Sequence, residues 1–361
     1  MGEKLFHILL MRLKDLLLLK RFPKVIILIL TYMCNSRCKT CHIWKYYIKN
    51  PNLLKNELSF EYYKKFLNQL SGIKKIVLTG GEPILREDFK EIVMECLKTV
   101  DHIEIFTNGI FYKKFFERIK EIINSVGNNK HIHIFISLDG IPNLHDSIRG
   151  IEGNFKRAIL LFTKLNALAK DFQNLKVSLS YTISSFNAGN FKDFFKFVNK
   201  EFKITLPQIS LNLAMNAPYY NLPPKYFDVD NEFLKRVEDD INFWFNIFRY
   251  LPIRTRINLY FNYFFSNLIT TYLMNKRYIV FNDLHKYFFV VDPFGNVYNH
   301  FNFRKKFGNI KKDALNVIKK NLFEKINKNL IGYYFCPITS EILFKNTITE
   351  LKYLFKSLFI T

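Results

Sequence analysis

Two hydrophobic patterns alternate along residues 25–215. Short runs of mostly apolar residues are typical of strands that are buried on both faces of a sheet. After each run except the last, apolar residues recur every three or four positions, which predicts a helix with one buried side. The predicted strands are Val25–Leu30, Ile76–Thr79, His102–Thr107, His131–Leu138, Lys176–Ile183 and Gln208–Leu213. This succession of strand and helix predicts a parallel sheet with helices outside it.

Three further segments flank the predicted barrel of residues 23–217. Residues 1–22 have the pattern of an amphipathic helix, with Lys and Arg opposite a face of Leu and Phe. Such a helix can lie in a membrane interface or pack against the barrel, and both interpretations stay open. Residues 218–275 predict a helical connector rich in aromatic side chains. Residues 276–361 predict a small α+β region, in which a turn at Asp292–Gly295 joins two short strands.

The charge of the chain is strongly positive. It carries 54 Lys and Arg against 31 Asp and Glu, a net charge of +23. This balance favours an anionic partner, namely nucleic acid, a membrane surface or an acidic peptide. The basic residues are scattered rather than clustered, and we therefore do not expect nucleic acid as a partner. No apolar run approaches the ~20 residues that span a bilayer, and residues 1–21 lack the pattern of a secretory signal.

Three of the five cysteines, Cys34, Cys38 and Cys41, lie within eight residues. An odd number of cysteines, three of them this close together, is not a disulfide framework. Thiolates are soft ligands that suit iron–sulfur clusters and zinc, but three are one short of the four that close such a site. Two interpretations stay open at this point. One is a zinc site completed by His42 or by a distant residue, and the other is a cluster with one iron open to a substrate.

Each predicted strand is followed at its carboxyl end by residues suited to binding a ligand. In parallel barrels these ends meet at one rim, where the chemistry takes place, so we expect a single site there. Two adjacent glycines in this set would let the backbone approach a ligand without a side chain between them. The residues at the strand ends are, in chain order, the cysteine loop, Gly80-Gly81-Glu82-Pro83, Asn108, Ser137 with Asp139, Thr182 and Asn212.

Together these motifs resemble the radical S-adenosylmethionine (radical SAM) superfamily. The resemblance rests on the cysteine loop after an apolar strand and on Leu78–Pro83, Thr107–Gly109 and Ser137–Gly140. It implies a partial (β/α)6 TIM-like barrel whose 4Fe–4S cluster is held by Cys34, Cys38 and Cys41. The open iron is then expected to bind S-adenosylmethionine. Reductive cleavage of that cosubstrate gives a 5′-deoxyadenosyl radical, which abstracts hydrogen from the substrate.

The resemblance also implies roles for single residues. The glycine motif receives the methionine amino group, with Glu82 supplying negative charge, and Arg149 offers a forked donor to the methionine carboxylate. Ser137 and Asp139 are expected to accept hydrogen bonds from the ribose hydroxyls. No catalytic residue is named, and His145 stays open between a structural and a catalytic role. The residues implied to contact S-adenosylmethionine are Gly80, Gly81, Glu82, Asn108, Ser137, Asp139, Arg149 and Thr182.

A second resemblance covers the carboxyl-terminal region. Val291–His300 and Phe307–Ile310 are similar to the SPASM/twitch extension of some radical SAM enzymes. In that extension a cysteine usually stands where this chain has His300, and further cysteines surround the position of Cys336. A four-thiolate auxiliary cluster therefore cannot be built here. The resemblance favours a retained fold that has lost its metal, with a remnant site at His300 and Cys336 as the alternative.

Three hypotheses for the function stay open. The first is radical chemistry on a peptide or protein, which the SPASM-like region and the basic charge favour. The second is the same chemistry on a membrane lipid or polyprenyl chain, which residues 1–22 and the aromatic residues 243–272 favour. The third is an iron–sulfur redox sensor that does not cleave S-adenosylmethionine.

Radical SAM chemistry, in either of the first two forms, implies further partners and a location. A low-potential donor of the flavodoxin or ferredoxin type is expected to reduce the cluster. An oxygen-sensitive cluster also implies a reducing compartment, and we therefore expect a cytoplasmic location, with the inner face of the membrane as the alternative.

Overall fold

The computed structural model describes residues 24–214, 230–252, 255, 288–298 and 305–324. Residues 1–22, most of the aromatic segment, His300 and Cys336 lie outside these ranges. What was predicted for those positions, including the remnant site and the amphipathic helix, therefore stays a prediction. The division of the chain into four segments also stays a prediction.

One open sheet of nine strands organises the described part of the chain. The strands are β1 Val25–Ile29, β2 Lys75–Thr79, β3 His102–Thr107, β4 His131–Ser137, β5 Leu175–Ile183, β6 Ile209–Leu213, β7 Phe288–Val291, β8 Asn296–Tyr298 and β9 Lys306–Asn309. Strands β1 to β6 are parallel and lie side by side in chain order. Strand β7 pairs in parallel with the other side of β1, and β8 and β9 continue the sheet in antiparallel. The predicted α/β fold with a partial, open barrel is confirmed.

Helices connect successive strands. The described helices are α1 Tyr46–Lys49, α2 Phe60–Leu67, α3 Phe89–Thr99, α4 Tyr112–Ser125, α5 Pro142–Arg149, α6 Asn154–Leu168, α7 Phe191–Phe202, α8 Asn231–Phe248 and α9 Leu315–Glu324, with 3-10 turns at Ile43–Lys45, Pro51–Asn56, Pro83–Leu85 and Leu206–Gln208. Helix α5 was not predicted; Pro142 begins it and Gly150, at φ +66°, ends it. Among the described helices, none has both the length and the apolar content that crossing a bilayer requires.

The two faces of β1 explain its unbroken apolar run, since all five of its residues are buried. Ile26 and Leu28 belong to the large core that lies between the sheet and the helices. Val25, Ile27 and Ile29 project to the opposite, inner face, where they form a second cluster. That inner cluster also contains Tyr32, Ile43, Val77, Phe288 and Val290. A strand covered on both faces has no polar side, which is why β1 reads as a continuous hydrophobic segment.

The inner face changes from apolar to polar across the sheet. Residues that are paired side by side in a sheet project to the same face, so the register identifies the inner residues of each strand. Ser137, Ser180 and Ser210 pair in one row, and Thr182 and Asn212 pair in the next. The side-chain amide of Asn212 donates to the Ser180 hydroxyl at 3.0 Å. Strands β5 and β6 therefore line the inner face with small polar side chains, whereas β1 and β7 line it with apolar ones.

The carboxyl-terminal hairpin forms where the sequence predicts it. The side-chain Oδ1 of Asp292 accepts hydrogen bonds from the backbone nitrogens of Phe294 at 2.9 Å and Asn296 at 2.8 Å. Gly295 adopts φ +85°, in the left-handed region that favours glycine. The turn between β7 and β8 is thus fixed by one aspartate and one glycine, and the predicted turn is confirmed.

One buried carboxylate joins helix α8 to the barrel. Asp240 is 2% exposed and accepts hydrogen bonds from the backbone nitrogens of Gly189 at 2.8 Å and Phe191 at 2.9 Å. These nitrogens lie at the start of α7, where N–H groups have no acceptor within their own helix. Burial raises the pKa of Asp240 to about 6, although both hydrogen bonds oppose the shift. Asp240 therefore caps α7 from a different helix.

We predict that Asp240→Ala destabilises the protein because it leaves two buried N–H groups without an acceptor. The expected loss is about 2–4 kcal/mol in the free energy of unfolding, measured by urea denaturation. Asp239→Ala is the matched control, since Asp239 is exposed on the same helix and its removal should change stability little. Equal urea midpoints for the two variants would show that the cap contributes nothing.

Candidate metal and cofactor site

The three predicted ligands lie on the loop that leaves β1 at the carboxyl rim of the sheet. Cys34, Cys38 and Cys41 are free thiols; Cys38 is buried and the other two are half-buried. Burial, together with the nearby Cys38, raises the pKa of Cys34 to about 12, and the same two causes raise the pKa of Cys41. The thiols thus oppose one another's ionisation, and a bound cation would favour the thiolate form. Within the described residues, no three His, Cys, Asp or Glu side chains are arranged to hold a single metal ion.

The cysteine loop, residues 31–42, is held by backbone hydrogen bonds from two sides. On one side, the nitrogen of Gly81 donates to the carbonyl oxygen of Thr31, and that of Glu82 donates to the carbonyl oxygen of Met33, both at 2.7 Å. On the other side, two nitrogens of the loop donate to the end of helix α5. These bonds run from Arg37 N to Arg149 O at 2.9 Å and from Lys39 N to Ile148 O at 2.8 Å. The loop that carries the thiols is therefore fixed between the end of β2 and the end of α5.

Close backbone packing explains the glycines of this site. A Cβ atom on Gly81 would lie 2.0 Å from the carbonyl oxygen of Met33, and one on Gly80 would lie 2.6 Å from that of Thr31. A Cβ on Gly150 would lie 2.6 Å from the carbonyl oxygen of Arg37. The adjacent glycines thus have a structural reason beside the expected one, because the cysteine loop occupies the space that their side chains would need. A ligand contact through the backbone of Gly80 and Gly81 stays a prediction.

Glu82 is buried and ties the β2 loop to the end of β3. Its carboxylate accepts hydrogen bonds from the Thr107 hydroxyl at 2.9 Å and from the backbone nitrogen of Asn108 at 2.7 Å. Burial raises the pKa of Glu82 to about 7, against the opposing effect of these hydrogen bonds. Both carboxylate oxygens have partners inside the protein, so Glu82 already has a structural role. Its contact with a methionine amino group stays a prediction.

A buried ion pair lies beside Cys38. Arg149 Nη2 lies 2.6 Å from Asp139 Oδ2, and Arg149 Nη1 lies 3.8 Å from the Cys38 sulfur. Burial lowers the pKa of Arg149, but the charges of Asp139 and Cys38 outweigh it and raise the pKa above its ordinary value. Asp139 Oδ1 also accepts from the backbone nitrogen of Thr182 at 3.0 Å. The pair therefore places a permanent cation next to a thiol and links the ends of β4, β5 and α5.

Two buried N–H donors near the thiols have no hydrogen-bond partner among the described residues: Nε of Arg149 and Nδ2 of Asn35. The Asn35 side chain is held by Asn108, whose amide donates to Asn35 Oδ1 at 2.8 Å and lies 3.9 Å from the Cys34 sulfur. Buried donors ordinarily have acceptors. Three thiols with two spare donors fit an iron–sulfur cluster whose cosubstrate presents a polar acceptor group such as a carboxylate. Asn35 was not predicted, although its position directly after the first cysteine was the available signal.

His145 forms a hydrogen bond with the backbone of Asp139. Its Nδ1 accepts a hydrogen bond from the backbone nitrogen of Asp139 at 3.0 Å, so the ring hydrogen is on Nε2. Nε2 lies 3.1 Å from the Asn154 amide, which must therefore present its oxygen. Burial lowers the pKa of His145 well below its ordinary value. His145 is thus a buried, neutral histidine that holds the backbone of Asp139, which fits the structural role, while a catalytic role stays the alternative.

Ser137 and Thr182 lie on the inner face beside the Asp139–Arg149 pair. Ser137 is half-buried at the end of β4 and pairs with Ser180 of β5. Thr182 is also half-buried, and its backbone nitrogen and oxygen contact Asp139 and Asn187 respectively. The structure thus brings the predicted residues of β2, β3, β4 and β5 to one rim with the cysteine loop. Which of them contact S-adenosylmethionine stays a prediction.

A second buried carboxylate, which the sequence analysis missed, holds the start of the cysteine loop. Glu57 accepts hydrogen bonds from the Thr31 hydroxyl at 2.8 Å, from the backbone nitrogen of Tyr32 at 3.0 Å and from the Tyr47 hydroxyl. Arg86 lies 3.4 Å from the same carboxylate and donates to the carbonyl oxygen of Leu30 at 3.1 Å. No local motif marks Glu57, because its partners come from three separate segments.

The fold and the site first define a class: an open parallel α/β barrel with a three-cysteine loop at its carboxyl rim. Residues 28–198, which include that loop, match the sequence model of the Radical SAM superfamily. This region, just under half of the chain, therefore carries the radical SAM sequence pattern, and members of that superfamily use a 4Fe–4S cluster and S-adenosylmethionine. The predicted family is confirmed.

Among curated proteins, the sporulation killing factor maturation protein SkfB of Bacillus subtilis is 31% identical over 166 residues, which are 45% of this chain and 37% of SkfB. A GTP 3′,8-cyclase of Aquifex aeolicus is 29% identical over 242 residues, which are 60% of this chain and 72% of the cyclase. This chain thus spans little more than a third of SkfB, the first of these relatives.

Solved structures share the fold. SuiB of Streptococcus suis, bound to the precursor peptide SuiA, has a TM-score of 0.58 at 15% identity; the match covers 89% of this chain and 70% of SuiB. The protein anSMEcpe, with bound AdoMet, has a TM-score of 0.52 at 20% identity over 85% of this chain and 81% of its own. Identities this low show the likeness of the fold alone.

We predict that Gly81→Ala prevents the cysteine loop from packing on the β2 loop, because the new Cβ would meet the Met33 carbonyl at 2.0 Å. Iron and sulfide bound after anaerobic reconstitution should fall by more than half, and the Tm should drop. Gly127→Ala is the matched control, since its Cβ would meet only the flexible Asn129 side chain, at 2.9 Å. Full iron loading of Gly81→Ala would contradict the packing argument.

Proposed function

We propose that this chain is a radical SAM enzyme that binds its 4Fe–4S cluster through Cys34, Cys38 and Cys41. The observation that carries the proposal is the loop of three free thiols, fixed at the barrel rim beside the spare donors of Asn35 and Arg149. When bound and reduced, the cluster supplies an electron that cleaves S-adenosylmethionine to a hydrogen-abstracting 5′-deoxyadenosyl radical. The protein supplies binding, orientation and a water-poor setting for that chemistry.

Different residues around the thiols are proposed to bind different groups of the cosubstrate. Arg149 has a fixed guanidinium because Asp139 pairs with it, and its free Nε–H can donate to a carboxylate. We assign the ribose hydroxyls to Ser137, as predicted, and to the inner-facing Thr182 in place of Asp139, since Asp139 is paired with Arg149. Glu82 keeps the β2 loop against β3, which orients the backbone of Gly80 and Gly81 toward the cysteine loop.

We further propose that the substrate is a peptide or protein. The inner face next to the site is lined on β5 and β6 by Ser180, Thr182, Ser210 and Asn212. The Ser210 hydroxyl is buried without a hydrogen-bond partner among the described residues. Peptide backbone carries a donor and an acceptor at nearly every residue and can satisfy such a wall, whereas a lipid chain cannot. SuiB, which was solved with a bound precursor peptide, and SkfB, which is named a sporulation killing factor maturation protein, support the same class.

Substitution of the cysteines tests the enzyme proposal. We expect the Cys34→Ala, Cys38→Ala and Cys41→Ala variants to lose most bound iron after anaerobic reconstitution and all formation of 5′-deoxyadenosine, because two thiolates do not retain the cluster. Cys96→Ala is the matched control: Cys96 is a fully buried core thiol on α3 and should be dispensable for both readouts. Chromatography of dithionite-reduced reactions measures the product. A wild-type protein that binds the cluster but forms no 5′-deoxyadenosine would instead be a redox sensor.

Isotope transfer tests the substrate class. We expect 5′-deoxyadenosine to acquire deuterium when the enzyme turns over with a peptide extract from cells grown on deuterated amino acids. Vesicles of perdeuterated phospholipid should give none, since the polar wall does not suit an acyl chain. Mass spectrometry of the nucleoside reads out both reactions, and Cys38→Ala serves as the blank. Deuterium from the vesicles and none from the peptides would reverse the assignment in favour of lipid.

A further inference from the structure

The solvent side of the cysteine loop is a cationic surface. Between Thr31 and Asn56 the chain has five basic residues and no acidic residue. We call this surface the basic loop face; its members are Arg37, Lys39, Lys45, Lys49 and Lys55. Lys45 is half-buried and the other four are exposed. Two of the five, Arg37 and Lys39, directly flank the predicted ligand Cys38.

These charges are not neutralised within the described residues. None of the five forms an ion pair there with an Asp or Glu side chain. The next carboxylate along the chain, Glu57, projects inward to Thr31 and Tyr32 and is paired with Arg86. Neighbouring cations without acidic partners raise the local positive potential, which attracts an anionic partner and accelerates its approach.

Aromatic rings fix part of the basic loop face in place. The Arg37 guanidinium and the Lys45 ammonium each lie 5.0 Å from the centre of the Trp44 ring. The Lys39 ammonium lies 5.6 Å from the centre of the Phe186 ring and donates to the Ser147 hydroxyl at 2.9 Å. Ile48, on α1, is 65% exposed in the midst of the cations. Ordered charges around an exposed apolar side chain are typical of surfaces that bind another protein.

We propose that the basic loop face is the docking surface for the protein that reduces the cluster, an acidic one-electron donor of the flavodoxin or ferredoxin type. The inference rests on the proposed function, because only a redox-active cluster requires such a partner. In each encounter the donor loses one electron and the cluster gains it, with no bond made or broken. Docking here places the donor over the loop that carries all three thiols. Charge complementarity then determines both the rate and the orientation of the encounter.

The test compares two reductants in the full-length, reconstituted protein. Lys49→Glu/Lys55→Glu reverses two exposed charges of the face that contact neither thiols nor the cosubstrate residues. With an acidic flavodoxin as donor, we expect the KM for flavodoxin in 5′-deoxyadenosine formation to rise about tenfold at low salt, and its salt dependence to become shallower. With dithionite, a small reductant that needs no docking, the rate should match the wild type.

The matched control is Lys120→Glu/Lys170→Glu, which makes the same charge change at two exposed lysines, one in the second half of α4 and one two residues beyond the end of α6. It should keep the wild-type KM for flavodoxin. Direct titration of flavodoxin with each reconstituted protein, read by fluorescence anisotropy across a salt series, measures docking without turnover.

The inference is overturned if both double variants bind flavodoxin alike. It is also overturned if the Lys49/Lys55 variant loses dithionite-driven cleavage to the same extent as flavodoxin-driven cleavage. Absence of dithionite-driven cleavage in the wild type would instead contradict the proposed function, and the anisotropy comparison would still decide the docking surface.

Discussion

The chemistry of this protein depends on how the backbone of one loop is held. The cysteine loop has no regular hydrogen bonding of its own, so its carbonyl and amide groups must be satisfied by other segments. The β2 loop supplies donors to its first half, and the end of α5 supplies acceptors to its second half. Both contacts require glycine, at Gly80, Gly81 and Gly150, because a side chain would occupy the position of a loop atom. The thiols are therefore positioned by neighbouring backbone rather than by contacts among themselves.

The buried charges around this loop are supported from outside it. Arg149 is fixed by Asp139, whose backbone is held by the neutral ring of His145. Glu57 and Arg86 form a similar pair at the opposite end of the loop. Removing either partner of such a pair leaves an uncompensated charge inside the protein, which costs more than the pair contributes. These pairs consequently help to determine one arrangement of the rim.

Local patterns in the sequence predicted most of the strands and helices, but few of the hydrogen bonds and ion pairs that hold the site. The strands were predictable because β1 to β6 are buried on at least one face. The hairpin was predictable because Asp292 and Gly295 form its turn through hydrogen bonds and backbone geometry within a few residues. The pairing of β7 with β1 was not predictable, since it joins segments more than 250 residues apart. Glu57 was missed for the same reason, since its partners come from separate segments, whereas Asn35 had a local signal in its position directly after Cys34. Helix α5 was missed because its eight residues are mostly polar, and Pro142 and Gly150 were the only signals of its ends.

The central claim is that three thiolates leave one iron of the cluster open to S-adenosylmethionine, with Arg149 and Asn35 ready to orient it. Electron–nuclear double resonance of the reduced, anaerobically reconstituted protein tests this most directly, using S-adenosylmethionine labelled with 15N at the amino group and 17O at the carboxylate. We predict hyperfine coupling to both labels and a changed spectrum of the cluster on addition of the cosubstrate. An intact cluster with an unchanged spectrum and no coupling to either label would contradict the claim.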